Sequence, residues 1–445
     1  MRRILLVEPA YRNKYPPLGL MKISTYHKLR GDYVQFVKGC VPQFRQQRWD
    51  RVYVSTLFTF LWKTTVDTIN YYRRAVDCPE NIVVGGITAT LLGEELHQET
   101  GATVVAGLLD KPGILDPGDK QRVDTLIPDY SILDQVEYSY GLNDAYIGYA
   151  TRGCPNQCGF CAVSRIEPTF CGYLPLKKQV RSIEELYGSK QDLVLLDNNV
   201  LASDQFEQII NDIVDLGFEK GARLNKKFRH VDFNQGIDLR RLTREKMELL
   251  AKIALRPLRL AFDHIALKDD YVDRVRLAVD CGITHLSNYV LYNYTDTPQD
   301  FYERLRINVE LNQELGTQIY SFPMKYIPLD AKDRTYLGEH WNRRLIRGVQ
   351  CILLATMGKV GTHLDFFEAA FGRTPAEFIE IAMMPEEYII HRRKHENNGA
   401  CEWRNAFQAL SESQRAEFLR VSSGREADGN ATDFSGLLAH YERNA

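Results

Sequence analysis

Short apolar runs alternate with stretches of helical periodicity along most of the 445 residues, and this alternation restricts the fold more than any other feature. In the first hundred residues, runs at 4–7, 34–37, 52–57, 82–84 and 104–106 predict strands. The stretches 18–29, 64–74 and 90–99 predict helices. Strands alternating with helices of this length imply parallel βαβ units, and so an α/β fold that opens with a doubly wound, Rossmann-like domain. From 110 to 144 the rhythm fails. Asp110, Asp116, Asp119, Asp124, Asp129 and Asp134 mix there with Pro112, Pro117 and Pro128, which predicts a linker that wraps rather than packs. Strand patterns resume at 146–151, 193–196, 231–234, 258–262, 285–292 and 318–322, with helices at 205–216, 243–254, 270–281 and 298–315 between them. Six such units suit a partial (β/α)6 barrel, in which chemistry sits at the C-terminal ends of the strands. Beyond 330 only helices are expected, at 341–356, 364–371, 376–384 and 411–421. The expected domains are therefore 1–110, a linker over 111–144, a partial barrel over 145–330 and a helical C-terminal domain over 331–445.

Composition narrows the functional classes. A chain with 44% hydrophobic and 26% charged residues is not wholesale disordered. With 56 Lys plus Arg against 58 Asp plus Glu, it carries no strong nucleic-acid signal. The apolar run after Arg2 and Arg3 ends at Val7, too short for a signal peptide. The longest later run, 351–357, falls far below the roughly 20 residues that span a bilayer. Nine cysteines in a long chain fit a disulfide scaffold poorly. The expectation is a cytoplasmic protein with reduced thiols and no membrane partner.

Three cysteines carry the chemistry. Cys154, Cys158 and Cys161 are separated by three and then two residues, just after Thr151, Arg152 and Gly153 at the expected end of the first barrel strand. Such a loop can wrap three thiolates around one metal center. Closed iron–sulfur and structural zinc sites use four protein ligands, so three leave one position for a substrate or cofactor. Zinc with a distant fourth ligand is the competing reading. Cys171, Cys281, Cys351 and Cys401 show no ligand spacing, and their expected state is free and buried.

The loop, with aromatic Phe160 before its last cysteine, resembles the signature of the radical S-adenosylmethionine superfamily, and the resemblance extends over about 145–330. It implies that Cys154, Cys158 and Cys161 ligate three irons of a 4Fe-4S cluster, with S-adenosylmethionine chelating the fourth. It further implies reductive cleavage of S-adenosylmethionine to a 5′-deoxyadenosyl radical that abstracts hydrogen. An electron donor such as flavodoxin or ferredoxin is implied as partner. Candidate contacts to S-adenosylmethionine are Phe160 and the strand-end residues Asp197, Asn199, Gln235, Asp263, Asn293 and Met324. Arg240 is a candidate to pair bidentately with the methionine carboxylate. Thr297 followed by Pro298 reads as a helix start and is assigned structure.

A doubly wound domain before such a barrel resembles the cobalamin-binding branch of the superfamily, in which methyl transfer is a leading reaction. Ser55 and Leu57 fit its SxL motif, and Gly85 and Gly86 fit its glycine pair; all four are candidate cobalamin contacts. The DxHxxG motif is absent, since His27 has neither the right neighbours nor the right spacing. Phe58, Phe60 and Trp62 compete for the same place and also fit one face of an extended segment. Two alternatives stay open: a methylthiotransferase-like RNA or protein modification enzyme, and a non-catalytic metal-binding module. Against the former, the first domain holds only Cys40 and Cys78, where methylthiotransferases supply three further cysteines. His391 and His395, one helical turn apart and flanking three basic residues, read as a solvated helix end.

Overall fold

The computed structural model describes residues 1–354, 356–422 and 433–442. It is a mixed α/β structure of two compact units. The first comprises residues 1–235, 248–256 and 327–336, and the second 236–247, 257–326 and 337–445. Among the described residues, no helix is long and apolar enough to cross a membrane.

In the first unit, strands β1 (Arg3–Glu8), β2 (Tyr33–Lys38), β3 (Arg51–Thr56), β4 (Ile82–Gly86) and β5 (Thr103–Val105) form one parallel sheet in the order β2-β1-β3-β4-β5. Ile4 to Val7 are fully buried, as expected of a central parallel strand covered by helices on both faces. The helices Leu18–Lys28 and Trp62–Tyr72 match the sequence pattern. The helix expected over 90–99 is split into Ile87–Leu91 and Gly93–Thr100. Strand order reverses between β1 and β3, which is where an open α/β sheet offers a ligand crevice.

The same unit carries β6 (Ala145–Gly148), β7 (Asp192–Leu195), the small antiparallel pair β8 (Arg223–Leu224) and β9 (Lys227–Phe228), and β10 (Val231–Phe233). β10, β7 and β6 make a second parallel sheet. The 111–144 segment differs from its expectation. Apart from the 3-10 turns Val123–Thr125 and Tyr130–Gln135 it has no regular structure, yet Leu115, Val123, Tyr130, Ile132 and Tyr140 are buried. Its aspartates hold it down: Asp116 pairs with Arg2 at 3.0 Å, and Asp129 accepts from Ser24 Oγ at 2.6 Å.

In the second unit, β11 (Leu258–Ala261), β12 (His285–Tyr292) and β13 (Gln318–Lys325) form a third parallel sheet. The six strands expected of one partial barrel are thus two three-stranded sheets, one in each unit. Arg304, fully buried in the Pro298–Leu315 helix, ties the sheet's strand ends together. Its guanidinium donates to the carbonyls of Phe262, Asp263 and Leu291 at 2.8–3.1 Å and pairs with Asp296 at 3.0 Å. That helix opens with a capping box between Thr297 and Asp300, with Pro298 in its first turn. Helices follow, from Arg343–Leu354 to Ser435–Glu442, around an aromatic core that includes Trp341, Phe378, Trp403 and Phe418. The first of these ends at Leu354, short of the expected 356; Ala355 lies outside the described residues. Gly348 lies against the Ala382 carbonyl, too close for any side chain there, so the helices Arg343–Leu354 and Pro375–Met383 cross in backbone contact.

Candidate functional site

The cysteine loop begins where β6 ends. Cys154, Cys158 and Cys161 are half-buried thiols in no disulfide. Its entry is drawn tight: Arg152 and Cys171 exchange backbone hydrogen bonds of 2.9 and 3.0 Å, and Gly153 adopts φ +72°. A Cβ on Gly153 would lie 2.5 Å from the Thr169 carbonyl oxygen and 3.0 Å from that of Glu167, so the turn requires glycine in space as well as in dihedral angle. Inside the loop, the Cys161 amide donates to the Cys158 carbonyl at 3.0 Å, and the Asn156 amide to Cys154 Sγ at 3.4 Å.

Three consecutive residues beyond β7 each hold a different part of this loop. Asp197, fully buried, accepts from the Thr151 amide, from Thr151 Oγ1 at 2.6 Å and from the Ala150 amide at 3.1 Å. Burial pushes its carboxyl up to about 6, against the hydrogen bonds and the Arg152 charge that pull it down. Asn198 Nδ2 donates to Glu167 at 2.9 Å, and Asn199 Nδ2 to Cys154 Sγ at 3.4 Å. Asp197 and Asn199, expected as contacts to S-adenosylmethionine, therefore brace the cysteine loop.

Arg152 and Glu167, both buried, begin a chain of charges that continues through the part-buried Asp124 and Lys22. Arg152 Nη2 pairs with Glu167 at 2.9 Å, its Nη1 lies 3.7 Å from Asp124, and Asp124 pairs with Lys22 at 2.9 Å. The Arg152 guanidinium also stacks over Tyr149 at 4.0 Å. Glu167 and Asp124 were invisible to motif reasoning, because their partners lie elsewhere in the chain or on backbone atoms.

The other candidates are placed as follows. Phe160 is half-buried on the loop, and Gln235 is exposed after β10, donating to Asn234 Oδ1 at 3.3 Å. In the second unit, Arg240 forms a two-bond pair with its neighbour Asp238, at 2.7 and 3.1 Å. Asp263 is held above the ordinary carboxylate range by burial, with Arg304 and Arg240 opposing. Asn293, buried at φ +69°, donates to the Tyr326 carbonyl at 3.0 Å and accepts from the Gly338 amide at 2.8 Å, so its side chain shapes a loop. Met324 is not past a strand end as expected: β13 continues through it to Lys325, and its side chain is 48% exposed.

At the first sheet, register pairs Ser55 with Gly85 and Thr56 with Gly86, so Ser55 meets the glycine pair while Leu57 lies past the end of β3. Gly86 at φ +108° rests against the Thr56 backbone. Phe58 and Phe60 are not on an extended face. Phe58 precedes the 3-10 turn Thr59–Leu61 and Phe60 lies within it; the two rings stack at 5.0 Å, with Phe58 half exposed and Arg334 4.3 Å over Phe60. Tyr11, buried in the loop after β1, bonds Thr65 Oγ1 at 2.5 Å, and Glu8 at the end of β1 pairs with Lys38 at 2.6 Å. His27 is buried between Asp32 and Tyr53 at 2.8 and 3.0 Å, remote in role from any axial ligand. The fit to cobalamin is partial: Ser55 aligns with Gly85 at the strand ends, and the stacked Phe58 and Phe60 follow close behind in the chain.

For a cluster the donor set fits: three soft thiols on one loop with no fourth cysteine in it. Among the described residues, no three His, Cys, Asp or Glu side chains are gathered as ligands of a single ion. Thiolates that take separate irons of a cluster need not be. His391 is exposed and His395 pairs with Glu387 at 3.0 Å. Of the remaining cysteines only Cys351 is buried; Cys171 and Cys401 are exposed and Cys281 is half-buried, because they fall on element ends and outward helix faces.

No protein-family model matches the chain, and no curated protein matches it. Among solved structures it is similar to one described as the cobalamin-dependent S-adenosylmethionine radical enzyme OxsB with aqua-cobalamin and S-adenosylmethionine bound. The TM-score is 0.47 and the identity 14%, over 69% of this chain and 52% of that one. The chain thus spans about half the length of that structure.

Proposed function

We propose that the chain is a radical S-adenosylmethionine enzyme whose cluster is held by Cys154, Cys158 and Cys161. The observation that carries this reading is the placement of the three-cysteine loop at the C-terminal end of β6, braced by the end of β7. When bound, the cluster and S-adenosylmethionine supply one-electron chemistry that ends in hydrogen abstraction from a substrate.

The chain's own part is positional. Gly153 turns the backbone into the loop, Asp197 fixes Ala150 and Thr151 ahead of that turn, and Asn199 donates to the sulfur of Cys154. A hydrogen bond to a ligating sulfur favours the more negative, reduced state of a cluster. Half-burial of the thiols limits water around the site.

Anaerobic reconstitution of the full chain, followed by iron and sulfide analysis, is the test. About four irons and four sulfides per chain support the reading. Stoichiometric zinc in their place refutes it. Reduction in the presence of S-adenosylmethionine, with and without cobalamin, then separates hydrogen abstraction from methyl transfer. 5′-Deoxyadenosine without cobalamin supports the former, and S-adenosylhomocysteine only with cobalamin supports the latter.

A further inference from the structure

We propose that Glu167 is a positioning residue that closes the cysteine loop, holding the residues before Cys154 against the end of β7. The inference rests on the reading of this loop as a cluster site. Glu167 lies beyond the last cysteine, is 8% exposed, and has no metal-ligand spacing.

Its two oxygens accept from three donors. Oε2 takes the Gly153 amide at 2.7 Å and Asn198 Nδ2 at 2.9 Å, and Oε1 takes Arg152 Nη2 at 2.9 Å. Two of these donors immediately precede Cys154 in the chain. The third neighbours Asn199, which donates to the sulfur of Cys154. Glu167 therefore sets both the backbone that enters Cys154 and the strand end that contacts its thiol.

Such a set calls for a side chain that accepts on both oxygens, which a glutamine cannot do. Glutamine has nearly the same shape but turns an NH2 toward either Arg152 or the Gly153 and Asn198 donors. Arg152 would then keep Asp124, at 3.7 Å, as its remaining carboxylate partner in this network. A pair broken on one side in a buried setting is strained far more than an exposed one.

The experiment compares the wild-type full chain with Glu167→Gln, Glu167→Asp and the control Asp129→Asn. Asp129 is likewise a buried carboxylate of the same unit, held by Ser24, Lys28 and Ser131. Each protein is reconstituted anaerobically with iron and sulfide. Iron content, the electron paramagnetic resonance spectrum of the reduced cluster and the alkylation rate of each loop cysteine in the apoprotein are then measured. E167Q is expected to hold iron about tenfold or more weakly, the usual scale for losing a residue that orients metal ligands. Cys154 should change alkylation rate relative to Cys158, and E167D should recover part of the loading. D129N should load fully.

Equal loading and an unchanged spectrum in E167Q would overturn the role of Glu167 while leaving the cluster reading intact. Equal losses in E167Q and D129N would also overturn it, because general destabilisation would then explain both. If E167Q does not fold, full loading of E167D, whose carboxylate is withdrawn by one methylene, overturns the proposal. A wild-type chain that takes up no iron overturns the cluster reading, and this inference with it.

Discussion

Asp197 offers a test that needs neither cluster nor substrate. Its carboxyl is raised from 3.8 to about 6 by burial. At about 1.4 kcal/mol for each tenfold in proton affinity, the folded state binds this proton better than the unfolded state by roughly 3 kcal/mol. Because the folded value is the higher one, the contribution is fully present below about pH 4 and is lost as pH rises through about 6. Asp197→Asn cannot ionise, and its side-chain oxygen can still accept from Thr151. Wild-type stability relative to D197N should therefore fall by roughly 3 kcal/mol between pH 4 and pH 7.

The wild-type curve alone would hide this. Burial lowers His27 of the same unit from 6.5 to about 4. Its contribution runs the other way, present above about pH 6.5 and lost as pH falls toward 4, with a similar size. The two partly cancel, so the variant difference is the observable. Urea unfolding of both apoproteins, read by hydrogen exchange in the peptide spanning 145–152, reports on the strand end that Asp197 holds. A difference that stays flat from pH 4 to 7, or that grows in favour of the wild type as pH rises, would refute the argument.

Three further outcomes follow from the geometry. Cys158→Ala should abolish loading of the cluster, and retention of full iron content would refute its role as a ligand. Gly153→Ala should cost roughly 1–2 kcal/mol from the left-handed backbone alone, plus displacement of the Thr169 carbonyl that a Cβ would meet at 2.5 Å; an unchanged melting temperature with full iron loading would contradict the tight turn. Arg304→Met strands Asp296 and three strand-end carbonyls, and should destabilise the second unit by about 3–5 kcal/mol. Urea unfolding monitored by exchange over 285–325 checks it, and a loss below about 1 kcal/mol would mean that the buried pair is dispensable.

The strands were legible where burial on both sides makes a continuous apolar run. Ile4 to Val7 shows this: a covered parallel strand needs no polar alternation to announce it. The helix start at Thr297 was legible because an N-cap threonine and an N-terminal proline are local chemistry. β13 was read as too short. Pro323 marks a break in a central strand, but β13 is the edge of its sheet, where a missing donor costs little. The aspartates of 111–144 pointed to a linker that wraps rather than packs, since composition shows charge without its partner. Asp116 finds Arg2, and Asp124 finds Lys22 and Arg152, and these pairs turn a loop-like segment into packed structure.

The same distinction decides how much of the candidate site could be read. Cysteine spacing is local, so the loop was visible, and a strand end is local, so Asp197 and Asn199 were placed near it. What those side chains face is not local. Past the end of β7 the regular two-residue alternation of a strand no longer applies. Asp197 turns to the backbone before the loop, Asn198 to Glu167, and Asn199 to the Cys154 sulfur. Sequence position named two of them as cofactor contacts; their hydrogen bonds add that all three hold parts of the loop. Glu167 carried no signal at all, because its partners are a backbone amide and an arginine from before the cysteine loop and an amide side chain 31 residues away. A buried acceptor that gathers three donors is recognisable only once the chain has folded around it.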